Sequence, residues 1–121
     1  MKKILIVDDQ KELLDLMEAT LAVEDYKILK ATNGKDAINI AMSEQPDIII
    51  MDITMPGKFD GLEATRILKN DSQTSSCQII LLTANAKKND IKKGFSAGAD
   101  DYFTKPFSPL ELIKKVEDIL G

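Results

Sequence analysis

Ile48-Ile49-Ile50-Met51-Asp52 is the stretch that decides the fold. Four apolar residues in a row read as a strand buried on both faces, as in the middle of a parallel sheet. The run ends in a carboxylate, and Ile53-Thr54-Met55-Pro56-Gly57 stops it with Pro and Gly. Such a strand delivers Asp52 beyond the carboxyl ends of the sheet, where open α/β sheets place their chemistry. Taken alone, Asp52 is better read as a residue that caps the turn. The other strand ends change that reading.

The 121 residues suit one domain with a real core, spanning 1–121. The chain is 44% hydrophobic and 30% charged, a globular composition. No apolar run approaches the ~20 residues that cross a bilayer, so no membrane role is expected. The basic Met1-Lys2-Lys3 precedes an apolar run that stops at Asp8-Asp9, which makes a strand rather than a signal peptide. A cytoplasmic protein is the expectation. The single Cys77 reads as a small buried hydrophobe. The absence of His excludes Ser-His and Cys-His catalysis, His-ligated zinc and phosphohistidine on this chain. Carboxylates, Lys, Tyr and hydroxyls are left to do any chemistry. A net charge of -4 argues against direct nucleic-acid binding.

Outward from the central strand, Lys3–Val7 is a second apolar run ending in carboxylates. Asp9-Gln10-Lys11-Glu12 has the form of a capping box with Asp9 as N-cap, and Leu14, Met17 and Leu21 follow at helical spacing. Lys27–Ala31 reads as a more polar strand near a sheet edge. Thr32-Asn33-Gly34 turns into a helix from about Lys35 to Glu44, with Ala37, Ile38 and Ala41 inward. Asp60-Gly61-Leu62-Glu63 opens a helix with Ala64, Ile67 and Leu68 on its apolar face. Asn70–Ser76 is a loop and Gln78–Thr83 a fourth strand.

Asn85–Ala97 reads as the weakest helix. Its apolar face is little more than Ile91 and Phe95, it is crowded by Lys87, Lys88, Lys92 and Lys93, and it contains Gly94 at a cost of about 1 kcal/mol against Ala. Asp101–Thr104 is a short fifth strand. Ser108-Pro109-Leu110-Glu111 starts the last helix, with Leu112, Val116, Ile119 and Leu120 as its buried stripe. Strand and helix alternate five times, which predicts a parallel sheet with helices on both faces.

Parallel strands share one C-terminal edge. Asp8 and Asp9, Asp52, Thr83 and Lys105 all stand at that edge. Three clustered carboxylates need a cation, since two like charges ~5 Å apart repel by roughly 3 kcal/mol at an effective dielectric of about 20. Oxygen ligands without His or Cys suit Mg2+. Metal, ammonium and hydroxyl around a vacant place suit a phosphoryl group, with Asp52 as the nucleophile that becomes an aspartyl phosphate.

These residues bear a resemblance over the whole chain. Ile6-Val7-Asp8-Asp9, Asp52 with Met55-Pro56 and Asp60-Gly61, Thr83-Ala84, Gly98-Ala99 with Tyr102, and Lys105-Pro106-Phe107 resemble the receiver domain of two-component response regulators. The resemblance implies a flavodoxin-like, doubly wound five-stranded fold with strand order 2-1-3-4-5. It implies that Asp52 accepts phosphate from a sensor histidine kinase or a histidine phosphotransfer protein. Asp8, Asp9, Asp52 and the backbone carbonyl of Thr54 would hold Mg2+. Lys105 would pair with the phosphoryl group and Thr83 would bond one of its oxygens. Tyr102 matches the switch aromatic, and Pro106 is expected to follow a cis bond. Such a domain promotes its own phosphorylation and dephosphorylation, but is a signalling module rather than an enzyme.

Three residues (Gly57, Lys58, Phe59) lie between Pro56 and Asp60, where the family commonly has two. Thr54 and Asn85 occupy positions that tune phosphate loss in the family. The poorly packed Asn85–Ala97 helix is the expected moving part, and the partner surface is expected to be that helix, the Tyr102 strand and the Ser108–Leu120 helix.

Three other readings compete with this one. A haloacid dehalogenase-type phosphatase needs a second Asp where Thr54 stands. A flavin-binding flavodoxin needs a hydroxyl- and Gly-rich loop where Asp8-Asp9 stands. A phosphorylation-independent receiver-like binding module usually lacks part of the constellation, which is whole here. The kinase and the output are not legible. A separate effector protein, an output domain joined after Gly121, and homodimerisation through the last helix all stay open.

Overall fold

The computed structural model describes residues 1–55, 57, 59–84 and 88–121. Five strands and five helices alternate: β1 (Lys3–Val7), α1 (Lys11–Leu21), β2 (Lys27–Ala31), α2 (Gly34–Glu44), β3 (Ile48–Asp52), α3 (Gly61–Lys69), β4 (Gln78–Thr83), α4 (Lys88–Ser96), β5 (Asp101–Thr104) and α5 (Pro109–Leu120). The strands form one parallel sheet in the order β2-β1-β3-β4-β5. This is the expected doubly wound, flavodoxin-like fold.

Alternation along the strands divides the core in two. Ile4, Ile6, Ile48, Ile50, Ile80 and Leu82 pack with Leu14, Met17 and Leu21 of α1 and Leu112 and Val116 of α5. Leu5, Val7, Ile49, Met51, Ile79 and Leu81 pack with Ala37 and Ala41 of α2 and Ala64 and Leu68 of α3. Small alanines on the second face let helices lie close to the sheet. α4 shares that face, because a Cβ at Gly94 would stand 3.0 Å from Leu81 Cδ1.

Helix starts follow local chemistry. Asn33, Asp60 and Ser108 each accept the backbone N–H three residues on. The Asp9 cap is a correction. The N-cap of α1 is Gln10, without a side-chain bond, because Asp8 Oδ1 accepts the Gln10 N–H at 2.9 Å and turns the chain first. The face assigned to α4 is also corrected. Ile91 is half-buried, but Phe95 is 47% exposed, and Gly94 and Ala97 are the buried residues there. The expected first turn of that helix, Asn85 to Lys87, lies outside the described residues.

Candidate functional site

β1 and β3 are neighbours in parallel register, with Val7 opposite Met51, so Asp8 and Asp52 emerge side by side from the same end. Both residues are buried, Asp8 completely and Asp52 at 7% exposure, whereas Asp9 is exposed. Carboxylate oxygens of Asp8, Asp9 and Asp52 all lie within 4.8 Å of one another.

Lys105 reaches this cluster from the end of β5. Its Nζ lies 2.9 Å from Asp8 Oδ2 and 3.2 Å from Asp52 Oδ2. The Lys105 N–H donates to the Thr83 carbonyl at 2.8 Å, which ties the loop after β5 to the end of β4. The Lys105–Pro106 peptide is cis.

Burial pushes the Asp52 carboxyl above its ordinary value. Lys105 opposes this, and the Asp8 charge adds to it. Burial disfavours the Lys105 ammonium, but its bonds and charge pairing with Asp8 and Asp52 outweigh that and raise it. The Thr54 N–H donates to Asp52 Oδ1 at 3.2 Å.

The sheet also separates the residues singled out from sequence. Asp8 and Asp52 continue the alternation of Ile4, Ile6, Ile48 and Ile50, on the α1–α5 face. Thr83 continues that of Ile79 and Leu81, on the opposite face, and is 4% exposed. Tyr102 is paired with Leu81 in register and so shares the face of Thr83.

Two glycines, Gly34 and Gly61, shape the site by close approach. A Cβ at Gly61 would collide with the Asp52 carbonyl oxygen, and the Gly61 N–H donates to the Ile53 carbonyl at 2.9 Å. The first turn of α3 therefore packs directly on the backbone of Asp52. A Cβ at Gly34 would strike the Phe59 carbonyl oxygen, so Phe59 packs directly on the start of α2. Asp60-Gly61 in sequence signalled a helix start, but the close approach needed coordinates. Pro56 and Lys58 of this loop lie outside the described residues.

The family model for the response regulator receiver domain matches residues 4–117. This chain belongs to that family. Solved structures agree with the assignment. A chain from Chloroflexus aurantiacus assigned as a response regulator is 34% identical, with a TM-score of 0.91, covering 98% of this receiver and 97% of that chain. The chemotaxis response regulator CheY4 of Vibrio cholerae is 29% identical, with a TM-score of 0.92 and 98% coverage of both. The receiver domain of a signal transduction histidine kinase from Syntrophus aciditrophicus is 31% identical, with a TM-score of 0.90, covering 99% of this receiver and 90% of that chain. Receiver domains are signalling modules. In this receiver no helix is long and apolar enough to cross a membrane, among the described residues.

Proposed function

We propose that this receiver takes a phosphoryl group onto Asp52 from the phosphohistidine of a sensor kinase or phosphotransfer protein. The observation that carries the reading is the convergence of Asp8, Asp52 and Lys105, from three separate strand ends, within 3.2 Å contacts. An Asp52 carboxylate oxygen attacks phosphorus as the P–N bond to the imidazole breaks. Lys105 loses one carboxylate partner and gains a phosphoryl oxygen. Thr83 donates its hydroxyl to another. Tyr102 and the face formed by α4, β5 and α5 carry the change to the partner.

The donor set fits a hard divalent cation. Of the three carboxylates, Asp8 and Asp52 pair with the Lys105 ammonium while Asp9 does not, and all three donors are oxygen. Asp8, Asp9, Asp52 and the Thr54 carbonyl would hold Mg2+. When bound, it would neutralise charge on the transferring phosphoryl group. The protein works in the cytoplasm, alongside its kinase, without binding nucleic acid or membrane. Its output passes to an effector protein or an attached output domain, with homodimerisation through α5 as one route.

Intact mass after incubation with Mg2+ and acetyl phosphate tests the reading. The wild type gains one phosphoryl group and Asp52→Asn gains none. No gain by the wild type, with Mg2+ binding verified, overturns it in favour of a phosphate-independent binding module.

A further inference from the structure

Asn33-Gly34 opens α2 as Asp60-Gly61 opens α3, with a capping side chain followed by a buried glycine. Neither glycine has a positive φ, so neither backbone conformation calls for glycine, and alanine is the better helix former. Close approach is what explains both. At Gly61 the neighbour is the Asp52 carbonyl, beside the acidic cluster. At Gly34 the neighbour is Phe59, two residues before Gly61. A Cβ at Gly34 would strike the Phe59 carbonyl oxygen and stand 2.9 Å from the Phe59 Cβ. No side-chain rotation relieves a clash with a carbonyl.

We infer that Gly34 is a positioning residue for Asp52 and its metal site, although α2 lies outside the cluster of Asp8, Asp9 and Asp52. Ala37 and Ala41, both fully buried, hold α2 against the sheet, so a side chain at position 34 displaces Phe59 rather than the helix. Phe59 is joined through Asp60 to Gly61. Asp60 Oδ1 accepts the Glu63 N–H at 2.9 Å, and the Gly61 N–H donates to the Ile53 carbonyl at 2.9 Å. A shift at Phe59 is thereby carried to the backbone of Asp52 and Ile53, and on to the Thr54 N–H that donates to Asp52 Oδ1. The inference deepens the receiver reading and rests on it for the role of Mg2+.

Amide spectra of the 15N-labelled wild type, Gly34→Ala and Asn33→Ala, followed through a Mg2+ titration, test this. Far-UV circular dichroism checks that each variant is folded. Asn33→Ala removes the bond to the Asp36 N–H and loosens α2, but leaves the space at Gly34 open. Gly34→Ala is expected to shift the Gly61 and Thr54 amides before metal is added, and to raise the Mg2+ midpoint about tenfold. Asn33→Ala is expected to leave both as in the wild type. A wild-type midpoint in Gly34→Ala overturns the inference. An equal rise in Asn33→Ala also overturns it, because the glycine would then only support α2. Should Gly34→Ala not fold, Phe59→Gly decides, since it loosens the same seat from the other side. A raised midpoint in that variant supports the inference and an unchanged one overturns it. Phosphoryl uptake from acetyl phosphate is followed by intact mass in parallel. A wild type that binds Mg2+ and takes up no phosphoryl group overturns the receiver reading and leaves the midpoints to decide Gly34. A wild type that binds no Mg2+ overturns both. Uptake by the wild type with a wild-type midpoint in Gly34→Ala overturns the inference alone.

Discussion

β1 and β3 differ sharply from β5 and α4. Ile4 to Val7 and Ile48 to Met51 are all fully buried, held between helices on both faces. β3 is paired on both sides, by β1 and β4. β5 is an edge strand paired only with β4, and each of its four residues is half-buried. α4 presents Phe95 to solvent. The two fully buried strands lead into or carry Asp8 and Asp52. The half-buried edge strand carries Tyr102. Enclosed strands fix the geometry of the acidic cluster, whereas the edge strand holds its aromatic residue in weaker packing.

The steepest test of this contrast is stability. Ile50→Ala leaves a cavity in the central strand and costs about 2–5 kcal/mol in urea unfolding. Ile91→Ala on α4 removes a half-buried side chain and costs about 1 kcal/mol. Equal losses would break the contrast.

Lys105→Ala comes next, at about 1–3 kcal/mol near neutral pH, since it leaves Asp8 and Asp52 facing each other without the ammonium. Lys105 has a folded value raised above 10.5. Its stabilisation is therefore full below 10.5 and lost as pH climbs through the folded value. Stability-versus-pH curves of wild type and variant should converge on the alkaline side, and a constant gap there would sink the assignment.

A smaller effect of opposite sign follows from Asp52, whose folded value is raised above 3.8. A raised carboxyl costs the fold nothing below 3.8 and its full penalty above the folded value. In metal-free buffer, Asp52→Asn should melt higher than wild type at pH 7, by on the order of a few degrees. The advantage should fade as the pH falls towards 3.8. A variant that melts lower at pH 7 would show that Asp52 stabilises rather than burdens its strand.

The smallest effect separates a true cap from an apparent one. Ser108→Ala should cost about 1 kcal/mol, because Ser108 Oγ accepts the Glu111 N–H at 3.1 Å. Asp9→Ala should cost no capping energy, because Asp9 does not cap α1. Thermal melts of the two variants compare them directly.

Much of the molecule follows from residues within about four positions of one another. Apolar runs of four residues ending in Asp or Thr marked the three central strands, Asn33, Asp60 and Ser108 marked helix starts, and strict alternation marked a parallel sheet. Such signals are legible because turns, caps and burial patterns are set locally. The motif residues at the strand ends were legible for the same reason.

What joins distant segments was not legible locally. Lys105 meets Asp8 across 97 positions, Gly61 yields space to the Asp52 carbonyl, and Gly34 yields it to Phe59. Helical spacing put Phe95 inward with Ile91, yet the close approach of α4 falls at Gly94 and turns Phe95 to solvent against Tyr102. The sequence by itself determined the elements, their order and the chemical groups at one edge. Only tertiary packing decided which face each group serves and which glycines had to be glycines, because those depend on contacts between segments far apart in the chain.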